Sequence, residues 1–250
     1  MDNGGCRFLR LKAVNSPSKI RPNLQKIKEK RVNVTKNGFI PQKTAVLVVD
    51  IQGDFTQAHD GSLAVAGTDA PWLDRVAHAA ARLRDWGYPL VATQDWHPAD
   101  HISFYTNSPG KAPFDLLELG DRQQILWPPH CVQGSPGAAL LMDAAGFDQV
   151  VQKGMDAAYD SYSGFFDDGK QATAMDDWLS SRGIEQLIVF GLATDYCVRA
   201  TALDARELGY GVAVVTGLSR GVAQETTAAA LVEMAAAGIE IWEELPDLGR

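Results

Sequence analysis

Between Thr44 and Trp242, short apolar runs alternate with segments of helical period, and this alternation confines the chain to an α/β architecture. The clearest run is Ala45-Val46-Leu47-Val48-Val49, closed by Asp50. With no polar residue at alternate positions, it fits a central parallel strand buried on both faces. Leu90-Val91-Ala92-Thr93, Gln149-Val150-Val151-Gln152-Lys153, Leu187-Ile188-Val189-Phe190, Val212-Ala213-Val214-Val215 and Ile239-Glu240-Ile241-Trp242 supply five more strands. Helical patterns lie between them over 70–86, 172–181, 196–208 and 225–236, the first opened by Pro71 and closed by Gly87. The fold expected is a doubly wound three-layer α/β/α domain with a mainly parallel six-stranded sheet. Ligands in such sheets bind beyond the carboxyl ends of the strands.

Residues 1–43 stand apart from this pattern. They carry eleven Lys/Arg against two acids, which leaves 12 basic and 29 acidic residues for the other 207. The reading is a weakly ordered basic N-terminal extension (1–43) before a single domain (44–250). The acidic body argues against nucleic acid as its substrate. No apolar run reaches the roughly 18 residues that cross a bilayer, so no membrane partner is expected. Three cysteines, Cys6, Cys131 and Cys197, are an odd number at unrelated spacings, which speaks for reduced thiols and a cytoplasmic setting. The partner expected is a small-molecule substrate, and homo-oligomerisation is left open.

The strand-end rule gathers the chemistry. Asp50, Asp95 with His97, Lys153 and Cys197 each follow the end of a different expected strand. Cys197 lies where the 187–193 stretch turns into a helix, with Thr194 or Asp195 available as cap. A thiol in a first helical turn is expected to favour the thiolate. A buried carboxylate at Asp50 could accept a proton, and a lysine at 153 could hold both anions in place.

The long irregular stretch from Pro98 to Ser135 is of the kind that carries function. Asp95 and His97, two apart on an extended segment, point the same way, and His101 and His130 follow, so three of the five histidines fall in one region. Imidazole and carboxylate together suit a divalent metal, zinc first, with iron or manganese as alternatives. Phe55, Trp127 and Tyr162, with Trp96 and Phe104, crowd the same loops, where aromatic faces can sandwich a flat ring.

The strings Val49-Asp50-Ile51-Gln52-Gly53-Asp54-Phe55, Gln94-Asp95-Trp96-His97-Pro98, Trp127-Pro128-Pro129-His130-Cys131-Val132, Lys153-Gly154, Asp160-Ser161-Tyr162-Ser163-Gly164-Phe165 and Gly191-Leu192-Ala193-Thr194-Asp195-Tyr196-Cys197-Val198 stand together in one order. Over residues 44 to 243 the chain thereby resembles the nicotinamidases of the isochorismatase-like cysteine hydrolase superfamily. The resemblance implies hydrolysis of nicotinamide to nicotinate and ammonia, and of pyrazinamide, through a cysteine thioester, in NAD salvage. It implies Cys197 as nucleophile, Asp50 as proton shuttle and Lys153 as their electrostatic partner. The N–H groups of Ala193 and Cys197 would form the oxyanion hole beside a cis peptide at Leu192–Ala193. Asp95, His97 and His130 would hold the metal, with His101 as an additional ligand, and Phe55, Trp127 and Tyr162 would wall the ring pocket. Tyr196 departs from relatives that carry histidine before the cysteine. The alternative is a sister amidase acting on N-carbamoyl or ureido compounds, a group that keeps the Asp, Lys and Cys but generally lacks the metal strings.

Overall fold

The computed structural model describes residues 38–120 and 122–248, so most of the basic extension lies outside the described residues. The chain forms β1 (Thr44–Val49), α1 (Ala70–Asp85), β2 (Leu90–Asp95), β3 (Leu116–Leu119), β4 (Arg122–Ile125) and β5 (Gln149–Lys153). It continues with α2 (Met175–Ser181), β6 (Gln186–Gly191), α3 (Arg199–Glu207), β7 (Gly211–Val215), α4 (Gln224–Ala236) and β8 (Glu240–Trp242). Six strands make one parallel sheet in the order β5-β2-β1-β6-β7-β8, as the alternating pattern predicts. The order runs outward in both directions from β1 and β6, so the topological switch point, where such sheets bind ligands, lies between their carboxyl ends.

The two-residue period of β1 divides the core. Leu47 and Val49 face one cluster, with Met175 and Leu179 of α2, Ala202 and Ala205 of α3, and Ala230 and Met234 of α4. Val46 and Val48 face the other, against Trp72, Val76, Ala80 and Leu83 of α1. A one-residue slip of β1 would exchange the two sets, so burial on both faces fixes its register. Helix α1 starts where the Asp69 carboxylate accepts the Trp72 N–H at 3.0 Å, with Pro71 in its first turn. It ends at Gly87, whose φ of 87° favours glycine. No helix among the described residues is long and apolar enough to cross a membrane.

Three local expectations differ. The helix expected over 172–181 starts at Met175, because Ala172 is engaged in an antiparallel bridge with Phe166 and Thr173 Oγ1 accepts the Met175 N–H at 3.1 Å. The helix expected over 196–208 begins as a wider turn over Thr194–Val198, in which the Val198 N–H donates to the Ala193 carbonyl at 3.1 Å, before α3 proper. Neither Thr194 nor Asp195 caps it. The Asp195 carboxylate instead accepts the N–H groups of Val222 (2.9 Å) and Ala223 (3.3 Å) and the Thr226 hydroxyl, anchoring the start of α4. Finally, the irregular 98–135 stretch contains an antiparallel hairpin, β3 with β4.

Candidate active site

Each chemically active side chain is delivered by the end of a strand. Asp50 follows β1 with φ of 49°, a left-handed turn that aspartate tolerates better than most residues. Thr93 on β2 locks it: the Thr93 hydroxyl accepts the Asp50 N–H at 3.2 Å and donates to Oδ1 at 2.6 Å. Lys153 closes β5, and its ammonium, buried with the rest of the side chain, lies 3.0 Å from Asp50 Oδ2 and contacts Asp95 Oδ1. It also donates to the Ser161 carbonyl at 2.9 Å and reaches Cys197 Sγ at 3.5 Å. Ligand atoms of Asp50, Asp95 and Cys197 all fall within 4.8 Å of one another. The residues that sequence reasoning drew from four strand ends therefore meet around one cation.

Charge at this centre follows from burial and from Lys153. Burial opposes the lysine's charge, but Asp50 and Asp95 more than offset that and hold it protonated far into the alkaline range. Burial raises the Asp50 carboxyl, and Lys153 compensates only in part. Asp95 is buried as deeply, yet Lys153 and then His97 hold it below the usual carboxylate range. Burial pushes the Cys197 thiol well above its ordinary value; Lys153 opposes this, and Asp50 adds to it. The resting sulfur is thus a thiol, against the thiolate expected from a helix start. Depth, and a carboxylate able to take the proton, outweigh the short turn in which the residue sits.

A second group shares Asp95. His97 Nδ1 stands 2.8 Å from the Gly154 carbonyl, which can only accept, so Nδ1 carries a proton and Nε2 is turned toward Asp95 Oδ2, 3.6 Å away. Gly154 has φ of 66°, and a Cβ there would fall 2.3 Å from the His97 ring, so only glycine fits. His130 is fixed likewise, with Nδ1 2.8 Å from the Pro128 carbonyl, and burial and His97 lower it to about 4, leaving a neutral imidazole. Ligand atoms of Asp95, His97 and His130 lie within 4.8 Å of one another. His97 Nε2 is buried and makes no hydrogen bond among the described residues, Asp95 Oδ2 standing 3.6 Å from it, which costs energy unless something else engages that nitrogen. The donor set of two imidazoles and a carboxylate fits a divalent metal. His101 is not part of this group: its Nδ1 pairs with Ser103 Oγ at 2.7 Å, its Nε2 with the Tyr159 carbonyl at 3.1 Å, and its ring stacks 4.3 Å behind His97.

Both groups border a cavity of about 320 Å³ whose lining includes Cys197, Ala193, Asp95 and His130. All three expected wall residues line it: Phe55, and Trp127 whose Nε1 donates to the Tyr162 hydroxyl at 3.1 Å. Tyr196 joins them, 5.4 Å edge-on to Trp127. Phe104 instead packs behind the imidazoles of His97, His101 and His130. Leu192–Ala193 is a cis peptide, as the motif implies. Among the described residues, the Ala193 N–H beside the cavity donates to no protein group. Sequence reasoning missed Gln52, which clasps the Asp95 backbone. Its Oε1 accepts the Asp95 N–H and its Nε2 donates to the Asp95 carbonyl, each at 2.8 Å.

A doubly wound sheet with a thiol, a carboxylate and an ammonium gathered at its switch point places the protein among hydrolases built on a three-layer α/β/α domain. Within that class the chain belongs to the isochorismatase family, whose domain matches residues 44–243. It is 45% identical over 214 residues to the nicotinamidase of Escherichia coli, spanning 80% of this chain and 97% of that one. A nicotinamidase/pyrazinamidase structure from Acinetobacter baumanii superposes with a TM-score of 0.73 at 36% identity, over 81% of this chain and 96% of the other. The Pyrococcus horikoshii pyrazinamidase in complex with zinc gives 0.67 at 33% identity, over 80% and 98%.

Proposed function

We propose that the protein is a nicotinamidase that hydrolyses nicotinamide, and the close analogue pyrazinamide, to the acid and ammonia in the salvage of NAD. The observation that carries this reading is the sharing of Asp95 between two groups, one able to attack an amide and one able to hold a metal beside an aromatic-walled cavity. A ureido or N-carbamoyl substrate brings no ring nitrogen for the second group to meet. The uneven spacing of the three cysteines, with Cys131 and Cys197 unbridged among the described residues, supports a cytoplasmic setting.

The ring enters between Phe55, Trp127 and Tyr162, with its carboxamide toward Cys197. Asp50 takes the thiol proton as the sulfur attacks the amide carbon. Lys153 stays charged throughout and stabilises whichever of the two groups is anionic. Negative charge building on the carbonyl oxygen is met by the N–H groups of Ala193 and Cys197. Asp50 then gives its proton to the departing nitrogen, and ammonia leaves a thioester. A water entering that space loses its proton to Asp50 and releases nicotinate and the thiol. Asp95, His97 and His130 would hold a divalent ion, zinc by the donor set; His101 would add a fourth ligand only by giving up the Tyr159 carbonyl. When bound, the ion supplies an electron-pair acceptor for the ring nitrogen, which orients the substrate.

The test is ammonia release from nicotinamide by the purified protein, with metal content measured on the same sample. Rapid release with one divalent ion per chain is expected. A folded, metal-loaded protein inert on nicotinamide but active on ureido compounds would assign it to the sister amidases.

The raised carboxyl of Asp50 sets a pH dependence. The productive resting form has Asp50 ionised and Cys197 protonated, so kcat/KM falls as pH drops through the Asp50–Cys197 pair's apparent pKa, above the ordinary carboxylate range. Asp50→Asn is expected to lower kcat by about 10²–10⁴-fold and to erase that acid limb. A pH–rate profile of the variant still falling at the same place would assign the limb to another group.

A further inference from the structure

Asp54 belongs to neither group, yet its contacts lead to both metal-ligating histidines. Its Oδ2 accepts the Cys131 N–H at 2.7 Å, and Cys131 directly follows His130. Cys131 has φ of 45°, a left-handed conformation that is uncommon outside glycine and is held only where its surroundings impose it. The same residue is grasped from the other side, because its carbonyl accepts the His97 N–H at 3.0 Å. Residue 131 therefore couples the backbones of His97 and His130, and the Asp54 carboxylate is the side chain that pins it.

The fit around Asp54 is close. A Cβ on Gly137 would stand 2.2 Å from Asp54 Oδ2, and one on Gly61 would stand 2.3 Å from the Asp54 carbonyl oxygen. The Leu63 N–H donates to that carbonyl at 2.9 Å. The neighbouring Phe55 walls the cavity, with its ring 5.5 Å from that of His130. Two loops thus meet at this carboxylate, one carrying the ring wall and the other a ligand. Nothing in the hydrolytic steps uses Asp54, and the buried Cys131 thiol, raised by burial, has no part in them either.

We propose that Asp54 is a positioning residue for the metal site: by accepting the Cys131 N–H it sets the peptide that joins His97 to His130 and so pre-organises their lone pairs. This rests on reading Asp95, His97 and His130 as the metal ligands. The experiment is transfer of zinc from the zinc-loaded protein to a chromophoric chelator, comparing wild type with Asp54→Ala, Asp54→Asn, Asp54→Glu and His130→Ala. Outer partners of metal ligands typically govern affinity by about 10–100-fold, and Asp54→Ala is expected to release zinc at a correspondingly lower chelator concentration. Asp54→Asn keeps an oxygen that accepts the same N–H and is expected to stay close to wild type. Asp54→Glu keeps the charge but displaces the acceptor and is expected to weaken zinc like alanine; it carries the test should the alanine variant not fold.

Wild-type retention by both Asp54→Ala and Asp54→Glu, with His130→Ala weakened, would overturn the role of Asp54 alone. Asp54→Asn falling as far as Asp54→Ala would also overturn it, because charge and not the hydrogen bond would then be responsible. Unaltered retention in His130→Ala would overturn the metal reading together with this one.

Discussion

Replacing Cys197 by alanine is expected to lower kcat on nicotinamide by about 10⁶-fold, the size of loss seen when the nucleophile of a triad hydrolase is deleted. The expectation follows from the lack of a substitute within the site. Asp50 is fixed by Thr93 and Lys153 to face the sulfur, and Lys153 is held protonated, so neither takes over the attack. An unactivated amide yields slowly to water, and the remaining polar groups can only polarise it. Folding should survive, because Cys197 lies at the edge of the core and loses one sulfur atom. Binding should survive too, since Phe55, Trp127, Tyr162 and the three metal-ligating candidates are untouched. The measurement is therefore paired: ammonia release for turnover, and titration of nicotinamide by calorimetry for binding. Retained binding with lost turnover assigns the sulfur to chemistry. Turnover within tenfold of wild type would mean that water activated elsewhere attacks the amide and that the thioester does not form.

The parts of this site that were legible in the sequence share one property: they follow the ends of apolar runs. Asp50, Asp95, Lys153 and Cys197 stand where β1, β2, β5 and the turn after β6 release the chain, and a parallel sheet converges those ends at its switch point. Gln52 and Asp54 were not legible as functional, because a polar side chain three or five residues past a strand resembles any loop residue. Their roles appear only with their partners, Asp95 at 43 and Cys131 at 77 positions along the chain. Asp195 misled for the same reason: beside a helix start it reads as a local cap, while its partners lie 27 or more residues on. The protonation of Cys197 was beyond local reading as well. A helix-start argument sees the dipole alone, whereas burial depth and the placement of Asp50 against Lys153 are products of the folded sheet. The hairpin of β3 and β4 had a sequence signal, the Gly120-Asp121 pair between two short runs, but four-residue strands in a long irregular stretch give little periodicity to detect.

Lys153→Met is expected to be the substitution most damaging to stability, by about 3–5 kcal/mol, the cost of removing one partner from a buried ion pair. Methionine nearly matches the lysine in length, so the loss is not one of volume. What remains in the metal-free protein is a pair of buried carboxylates, Asp50 and Asp95, that share the Lys153 ammonium in the wild type and would face each other without it. For a domain of this size the deficit corresponds to a fall in Tm on the order of 10 °C. Its pH dependence distinguishes this cause from simple mispacking. In the wild type, Lys153 is raised, so its contribution is fully present below the unfolded lysine pKa and is lost only as pH climbs through the folded value. Asp95 is depressed, so its contribution is present above the unfolded carboxylate pKa and is lost as pH falls. In the variant, both carboxyls resist ionisation, and each now favours the folded state when protonated. The difference in Tm between wild type and Lys153→Met should therefore be largest near pH 8 and shrink toward pH 5, where the two acids can take up protons. Adding Asp95→Asn to the variant should recover part of the loss at pH 8 by removing one of the stranded charges. A deficit that is flat from pH 5 to 8, or unchanged by that second substitution, would show that Lys153 fills space at the centre of the site without neutralising it.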